Sequence, residues 1–178
     1  MTAEKKQEGK MDMQAAMDVY RKLATPGAPH KLLASMAGSW TTRTKSWMGP
    51  DSPPMESTGA CEQKMLLGGR FLQQEFAGDM MGSPFSGIGF NGDDNHTGKY
   101  VSTWMDTMST AILYFVGTAG ADGKTITQTA RYNDAVQGPM QFRSVTRMVD
   151  DNAMYFELHS TGKSGKEEKM MEMTYTRK

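Results

Sequence analysis

Residues 84–106, PFSGIGFNGDDNHTGKYVSTWMD, read as two strands about a polar turn. Phe85, Ile88 and Phe90 mark the first strand, and Tyr100, Val101, Trp104 and Met105 mark the second. Between them, Gly92-Asp93-Asp94-Asn95-His96-Thr97-Gly98 gathers the residue types that favour turns and positive φ. Gly87 and Gly89, two positions apart, predict a tightly bent strand or a close backbone approach. Bends of this kind let a sheet curl into a barrel.

Working outward, the same period-two pattern starts at Gly38 and runs to the end of the chain. Ten strands are expected, over 39–48, 56–67, 70–77, 84–92, 98–106, 110–119, 124–132, 139–149, 153–160 and 167–177. Turn chemistry marks the breaks: Gly49 to Pro54 forms a loop, Gly68-Gly69 a two-residue hairpin turn, and Gly120 to Gly123, Asp150 to Asn152 and Thr161 to Gly165 further turns. No helix-length pattern interrupts the strands, so every neighbouring pair is expected to be antiparallel. A meander this long either keeps two exposed edges or closes, and closure removes the edges. The expectation is an all-β fold, an up-and-down antiparallel barrel of about ten strands with a short N-terminal helical segment.

Before the barrel, residues 1–10 are polar and expected to be flexible, and residues 11–37 carry two helices. Asp12 can cap the first, which repeats Met13, Ala16, Met17, Tyr20 and Leu23 on one face. Thr25-Pro26-Gly27 stops it. Pro29 suits the first turn of the second, with Leu32, Leu33 and Met36 on its apolar side. These helices are expected to pack on or plug the barrel, which occupies 38–178 as one domain.

An even strand count sets the first and last strands side by side. Trp40 then neighbours Arg177, and a guanidinium stacked on an indole would close one barrel end. The surrounding residues carry a resemblance. His30 and Leu33 precede Gly38-Ser39-Trp40. Leu66-Leu67-Gly68-Gly69-Arg70-Phe71 follows, then Pro84-Phe85-Ser86-Gly87-Ile88-Gly89, Tyr100-Val101 with Trp104 and Asp106, and finally Tyr175-Thr176-Arg177. Over roughly residues 28–178 this order resembles the bacterial domain-of-unknown-function family 1579. The Gly-X-Trp start with a late arginine is similar to the calycins, the lipocalin and fatty-acid-binding barrels. The resemblance implies a calycin-like β-barrel without an established biochemical role.

Composition narrows the partners. Lysine plus arginine and aspartate plus glutamate number 20 each, so no positive excess exists to neutralise nucleic-acid phosphates. No apolar run reaches the ~18 residues of a membrane span. The amino end lacks an apolar signal core, which predicts a cytoplasmic chain, or a periplasmic or secreted one if a signal peptide has been removed. Cys61 is the single cysteine. It shares a strand face with Gly59, Gln63 and Met65 and is expected to be buried filler. Oligomeric state stays open, a homo-oligomer included.

Alternation assigns the interior. Lys99 belongs in water, which turns Tyr100, Ser102, Trp104 and Asp106 inward. By the same logic Phe142, Ser144, Thr146 and Met148 face in, as do Met154, Phe156 and Leu158, and Met171, Met173, Tyr175 and Arg177. The expected ligand-binding residues are Tyr100, Trp104, Asp106, Phe142, Phe156, Met173 and Tyr175, with Trp40 and Arg177 closing the barrel. A greasy wall with sparse polar groups suits a small apolar or amphipathic molecule. A core filled by side chains is the competing expectation. The segment around Ile112 to Val116 is apolar on both faces, and its outer face is expected to lie under the N-terminal helix.

No catalytic or metal motif is present, so no catalytic residue, metal ligand or cofactor is assigned. Three further functions stay open. An enzyme could use the same cavity, with Asp106 and Glu75 as an acid/base pair. Haem could be held through His159, as in the nitrobindins, if the register were shifted by one residue. Copper could be held by clusters among the 18 methionines, at Met11 and Met13, Met80-Met81, and Met170, Met171 and Met173.

Overall fold

The structure, a computed structural model, describes residues 12–49, 51–80 and 82–178. Residues 1–10, Met11 and Met81 lie outside the described residues, and with them the flexible-terminus expectation and part of two methionine clusters.

Two helices precede ten strands. Helix α1 spans Met13–Leu23 and α2 Ala28–Ser35. The strands are β1 Gly38–Ser46, β2 Met55–Leu66, β3 Phe71–Met80, β4 Ser83–Asp94, β5 Lys99–Asp106, β6 Leu113–Ala119, β7 Thr125–Asp134, β8 Gly138–Asp150, β9 Ala153–Thr161 and β10 Glu167–Arg177. Each strand pairs antiparallel with the next, and β1 pairs with β10 to close the barrel. The register sets Trp40 opposite both Arg177 and Cys61.

Helix α2 lies across the barrel end where β1 begins. Pro29 stands in its first turn, where its missing N–H costs nothing. Leu33 and Met36 are buried beneath it, and burying Leu33 alone contributes roughly 1.5–3 kcal/mol. The Trp40 indole donates to Met36 O at 2.9 Å. Arg177 sits 4.1 Å above the Trp40 ring and donates to Ser35 O, Ala37 O and Asp151 O at 2.8, 2.6 and 2.6 Å. A cation thus meets the carbonyls left open at the C-terminus of α2, where the helix dipole is negative. Gly38 adopts φ +136°, and a Cβ there would strike the Arg177 guanidinium.

The central hairpin is longer than its sequence suggests. Strand β4 runs on to Asp94, and the turn proper is residues 95–98, closed by Gly98 at φ +64°. Asp94 accepts from the His96 amide and the Thr97 hydroxyl, and Asn95 donates across to Leu23 O and Thr25 O. The Asp-Asp-Asn run therefore builds the turn and ties the helix linker to it. The expected Gly68-Gly69 turn is a four-residue loop, since Leu66 pairs with Phe71 and Leu67, Gly68 and Gly69 all take positive φ.

The first helix departs from expectation. Asp12 caps α1 through the Gln14 amide, yet Met13, Met17, Val19 and Tyr20 are all exposed. Tyr114 and Val116 on the outer face of β6 are exposed too, so α1 does not cover them. The linker after α1 is tied instead to the β4–β5 turn, through the two bonds from Asn95.

Candidate functional site

Inside the barrel lies a cavity of about 270 Å³. Its closed end is α2, through Leu33 and Met36. Its mouth is the opposite rim, where Ser57, Asp79, Met80, Phe85, Asp106 and Leu113 stand at strand ends. A second cluster of Phe115, Ala130, Met140 and Phe142, with Tyr132 and Leu158 against it, forms a shoulder beside that mouth.

Trp104 shapes the wall. It pairs with Gly89 across the β4–β5 ladder, and its six-membered ring rests on Gly87 and Gly89. A Cβ on Gly87 would overlap the indole, and one on Gly89 would come within 3.1 Å of it. The close approach expected of these glycines is this one. The indole Nε1 donates to Asp106 Oδ2 at 2.8 Å, and Asp106 Oδ1 accepts from the Met108 amide at 2.9 Å. Thus the largest inward side chain of β5 lies along the sheet, and the lumen beside it stays open.

Of the residues expected to line a pocket, Tyr100, Trp104, Asp106, Phe156, Met173 and Tyr175 border the cavity together. Phe142 does not. It faces inward but packs on Tyr132, with ring centroids 6.4 Å apart, in the shoulder cluster. The reason is strand length: the β7–β8 hairpin outruns β6, which pairs with β7 only from Val116 to Ala119. Its distal inward side chains therefore close on one another.

Alternation carries more residues into the site than the expected ligand contacts. Gln63 and Gln74 from β2 and β3 line the closed half, and Ser102, Gln128, Ser144 and Thr146 the far wall. Placing Cys61 inside places Gln63 inside by the same period, and that was the signal available. Ser102 donates to Gln128 Oε1 at 2.9 Å, and Gln74 Nε2 to the Tyr175 hydroxyl at 3.4 Å. Gln63 is 5% exposed, and its Nε2 has no hydrogen-bond partner among the described residues. Burial pushes the Cys61 thiol up to about 12 and raises the Tyr175 phenol as well. Both are neutral at pH 7. Tyr100 is raised in the same way.

Methionines dispersed in sequence converge here: Met36, Met80, Met154, Met171 and Met173 all border the cavity. Their flexible, polarisable side chains make an adaptable wall. Among the described residues, neither a histidine nor Cys61 joins them on the lining, which leaves the thioethers without the usual companion ligands of a copper site.

The acid/base pair and the haem ligand do not form inside the barrel. Glu75 is exposed on the outer face of β3 and accepts from Gln73 at 2.6 Å, so it forms no pair with Asp106. His159 lies on the outer face of β9 beside Glu157, 3.3 Å away, so the register needed for haem ligation from within does not occur. There Lys169 and Tyr155 donate to Glu157 at 2.6 and 2.9 Å. The Lys169 bond holds the Glu157 carboxyl down to about 2 against burial, helped by Tyr155 and His159. No group of three or more potential metal-ligating His, Cys, Asp or Glu side chains occurs among the described residues. No helix among them is long and apolar enough to cross a membrane.

Comparison with known proteins agrees with this architecture. A family model described as "Protein of unknown function (DUF1579)" matches residues 25–177. No curated protein matches the chain. Among solved structures, Rv2717c from M. tuberculosis superposes with a TM-score of 0.65 at 16% identity, over 86% of this chain and 99% of that one. The S-type phycobiliprotein lyase CPES from Guillardia theta gives 0.59 at 10% identity, over 83% and 91%. At these identities the likeness is one of fold.

Proposed function

The chain belongs to the DUF1579 family, whose description assigns no activity, and we propose that it binds a small apolar or amphipathic molecule in the barrel cavity. The observation that carries this reading is the cavity itself. It is closed by α2 at one end, walled by aromatic and methionine side chains, and kept open by an indole laid flat on two glycines. A barrel evolving toward a filled core would have no need of that arrangement, because voids cost packing energy in proportion to their size. Tyr100, Trp104, Phe156, Met173 and Tyr175 supply the contact surface in this reading. Asp106 sets the mouth by fixing Trp104.

The test uses 4-phenyl-2-butanone, a neutral probe that suits the volume, followed through tryptophan emission and native mass spectrometry. Saturable one-to-one binding is expected. Ser144→Leu, which extends a buried side chain into the lumen, abolishes it without lowering the melting temperature. No binding to the unaltered protein, or full binding in Ser144→Leu, would overturn the reading.

A further inference from the structure

The chemistry of the lining selects among ligands. Among the described residues, no lysine, arginine or histidine borders the cavity, and its only carboxylates, Asp79 and Asp106, stand at the mouth. An anionic ligand would pass two carboxylates and lose its hydration to a wall with no cation, the least favourable case for burying a charge. A cation would find its counter-charge only at the rim, where both carboxylates already accept backbone or indole hydrogen bonds. What the interior offers is neutral: amides of Gln63, Gln74 and Gln128, and hydroxyls of Ser102, Ser144 and Tyr175. Most of these already satisfy one another in pairs. Among the described residues, two residues bordering the cavity carry a buried polar atom without a hydrogen-bond partner, Thr103 at Oγ1 and Gln63 at Nε2. Thr103 belongs to the outward-facing set of β5, which leaves Gln63 Nε2 as the donor on the inward face. Buried donors are nearly always paired, so this one points to a partner supplied from outside the chain.

We infer that the ligand is uncharged and presents a hydrogen-bond acceptor, such as a carbonyl oxygen, to Gln63 Nε2. The inference rests on the cavity being a binding site, and it adds size, charge and orientation to that reading. At roughly 30 Å³ per liquid water the cavity holds about nine waters' worth of volume, which fits a ligand of about ten non-hydrogen atoms. The polar atom lies toward α2, beside Gln63 and Gln74. The apolar body extends along Trp104 and the methionines toward the mouth, where the wall adapts to its shape.

A matched set of probes tests charge and acceptor separately: butylbenzene, 4-phenyl-2-butanone, 4-phenylbutanoate and 4-phenylbutylammonium, titrated calorimetrically at pH 7. The ketone is expected to bind at least tenfold more tightly than either ion. Gln63→Met, which keeps the volume and removes the donor, weakens the ketone at least tenfold and leaves butylbenzene unchanged. A carboxylate or ammonium affinity equal to the ketone's would overturn the inference. So would a Gln63→Met loss shared equally by butylbenzene. If butylbenzene and the ketone both fail to bind the unaltered protein, the binding reading itself falls. If all four probes bind alike, the cavity remains a binding site and only the selection for a neutral acceptor falls. Should Gln63→Met fail to fold, the charge series on the unaltered protein still separates these outcomes.

Discussion

Gly87→Ala tests the arrangement that keeps the lumen open. The new Cβ would lie against the Trp104 ring, 2.7 Å from Cη2 and nearer still to Cζ2, so the indole must leave the wall. It cannot slide along the strand without losing the bond from Nε1 to Asp106, and a hydrogen bond to a charged group is worth ~1.5–3 kcal/mol. Overpacking of this kind costs typically about 1–3 kcal/mol. Against it stands the conformational gain of alanine over glycine in a strand, roughly 0.5–1 kcal/mol. The net expectation is a loss of ~2–5 kcal/mol in urea denaturation, together with a ketone affinity at least tenfold lower as the displaced ring enters the lumen. A double-mutant cycle separates this from a plain backbone effect. In a Trp104→Leu background the collision is absent, and Gly87→Ala should become neutral or stabilising. Equal destabilisation in both backgrounds would refute the idea that Gly87 exists to seat the indole.

Three further outcomes follow from the same geometry. Arg177→Met removes the stacked cation and its three carbonyl bonds, and should cost ~2–4 kcal/mol. For a chain of this size that lowers the melting temperature by roughly 5–15 °C, and a fall under ~2 °C would remove Arg177 from the closure of the barrel. Glu157 is held at about 2 against an ordinary 4.5, so its contribution is complete above pH 4.5 and is lost as pH falls toward 2. Melting temperature against pH should therefore fall more steeply over that window in the unaltered protein than in Glu157→Gln, and parallel curves would contradict the assignment. Cys61 is fully buried, with its thiol pushed up to about 12, and should not react with a disulfide reagent at pH 8 until urea unfolds the chain; prompt reaction in the native protein would show that this wall opens.

Much of the barrel could be read from the chain because β structure advertises itself through alternation. One anchored residue, Lys99 in water, sets the facing of β5, and Tyr100, Trp104 and Asp106 follow. Trp40 and Arg177 were legible for a topological reason, since an even meander must bring its two ends together. What alternation does not encode is how far each strand extends past its neighbour. Phe142 faces inward as its period requires, yet β6 is short, so Phe142 meets Tyr132 instead of the lumen. Helix α1 shows the converse limit. Its apolar stripe is clear in sequence, but whether a stripe is covered depends on where its linker is tied, here to Asn95 across the chain. Glu75 lacked a register anchor on β3. The same β3 register, once Leu72 and Phe76 are known to be buried, sends Glu75 outward.

Gln63 brings stability and binding into opposition, and that opposition can be measured. A donor buried without a partner costs roughly 1–3 kcal/mol in the ligand-free protein. Methionine at the same position has similar reach, fills the same space and has no donor to desolvate. Gln63→Met should therefore raise the stability of the empty barrel by ~1–2 kcal/mol, or roughly 2–8 °C in melting temperature at this chain length. The same substitution should weaken a carbonyl ligand. A purely structural glutamine would behave differently: its removal would lower stability, because its amide would be holding neighbours in place. A stabilised apo barrel with impaired ketone binding is the pattern expected where function retains a residue that folding alone would discard. Destabilisation with binding intact would instead make Gln63 part of the scaffold and leave the cavity's polar lining without a purpose.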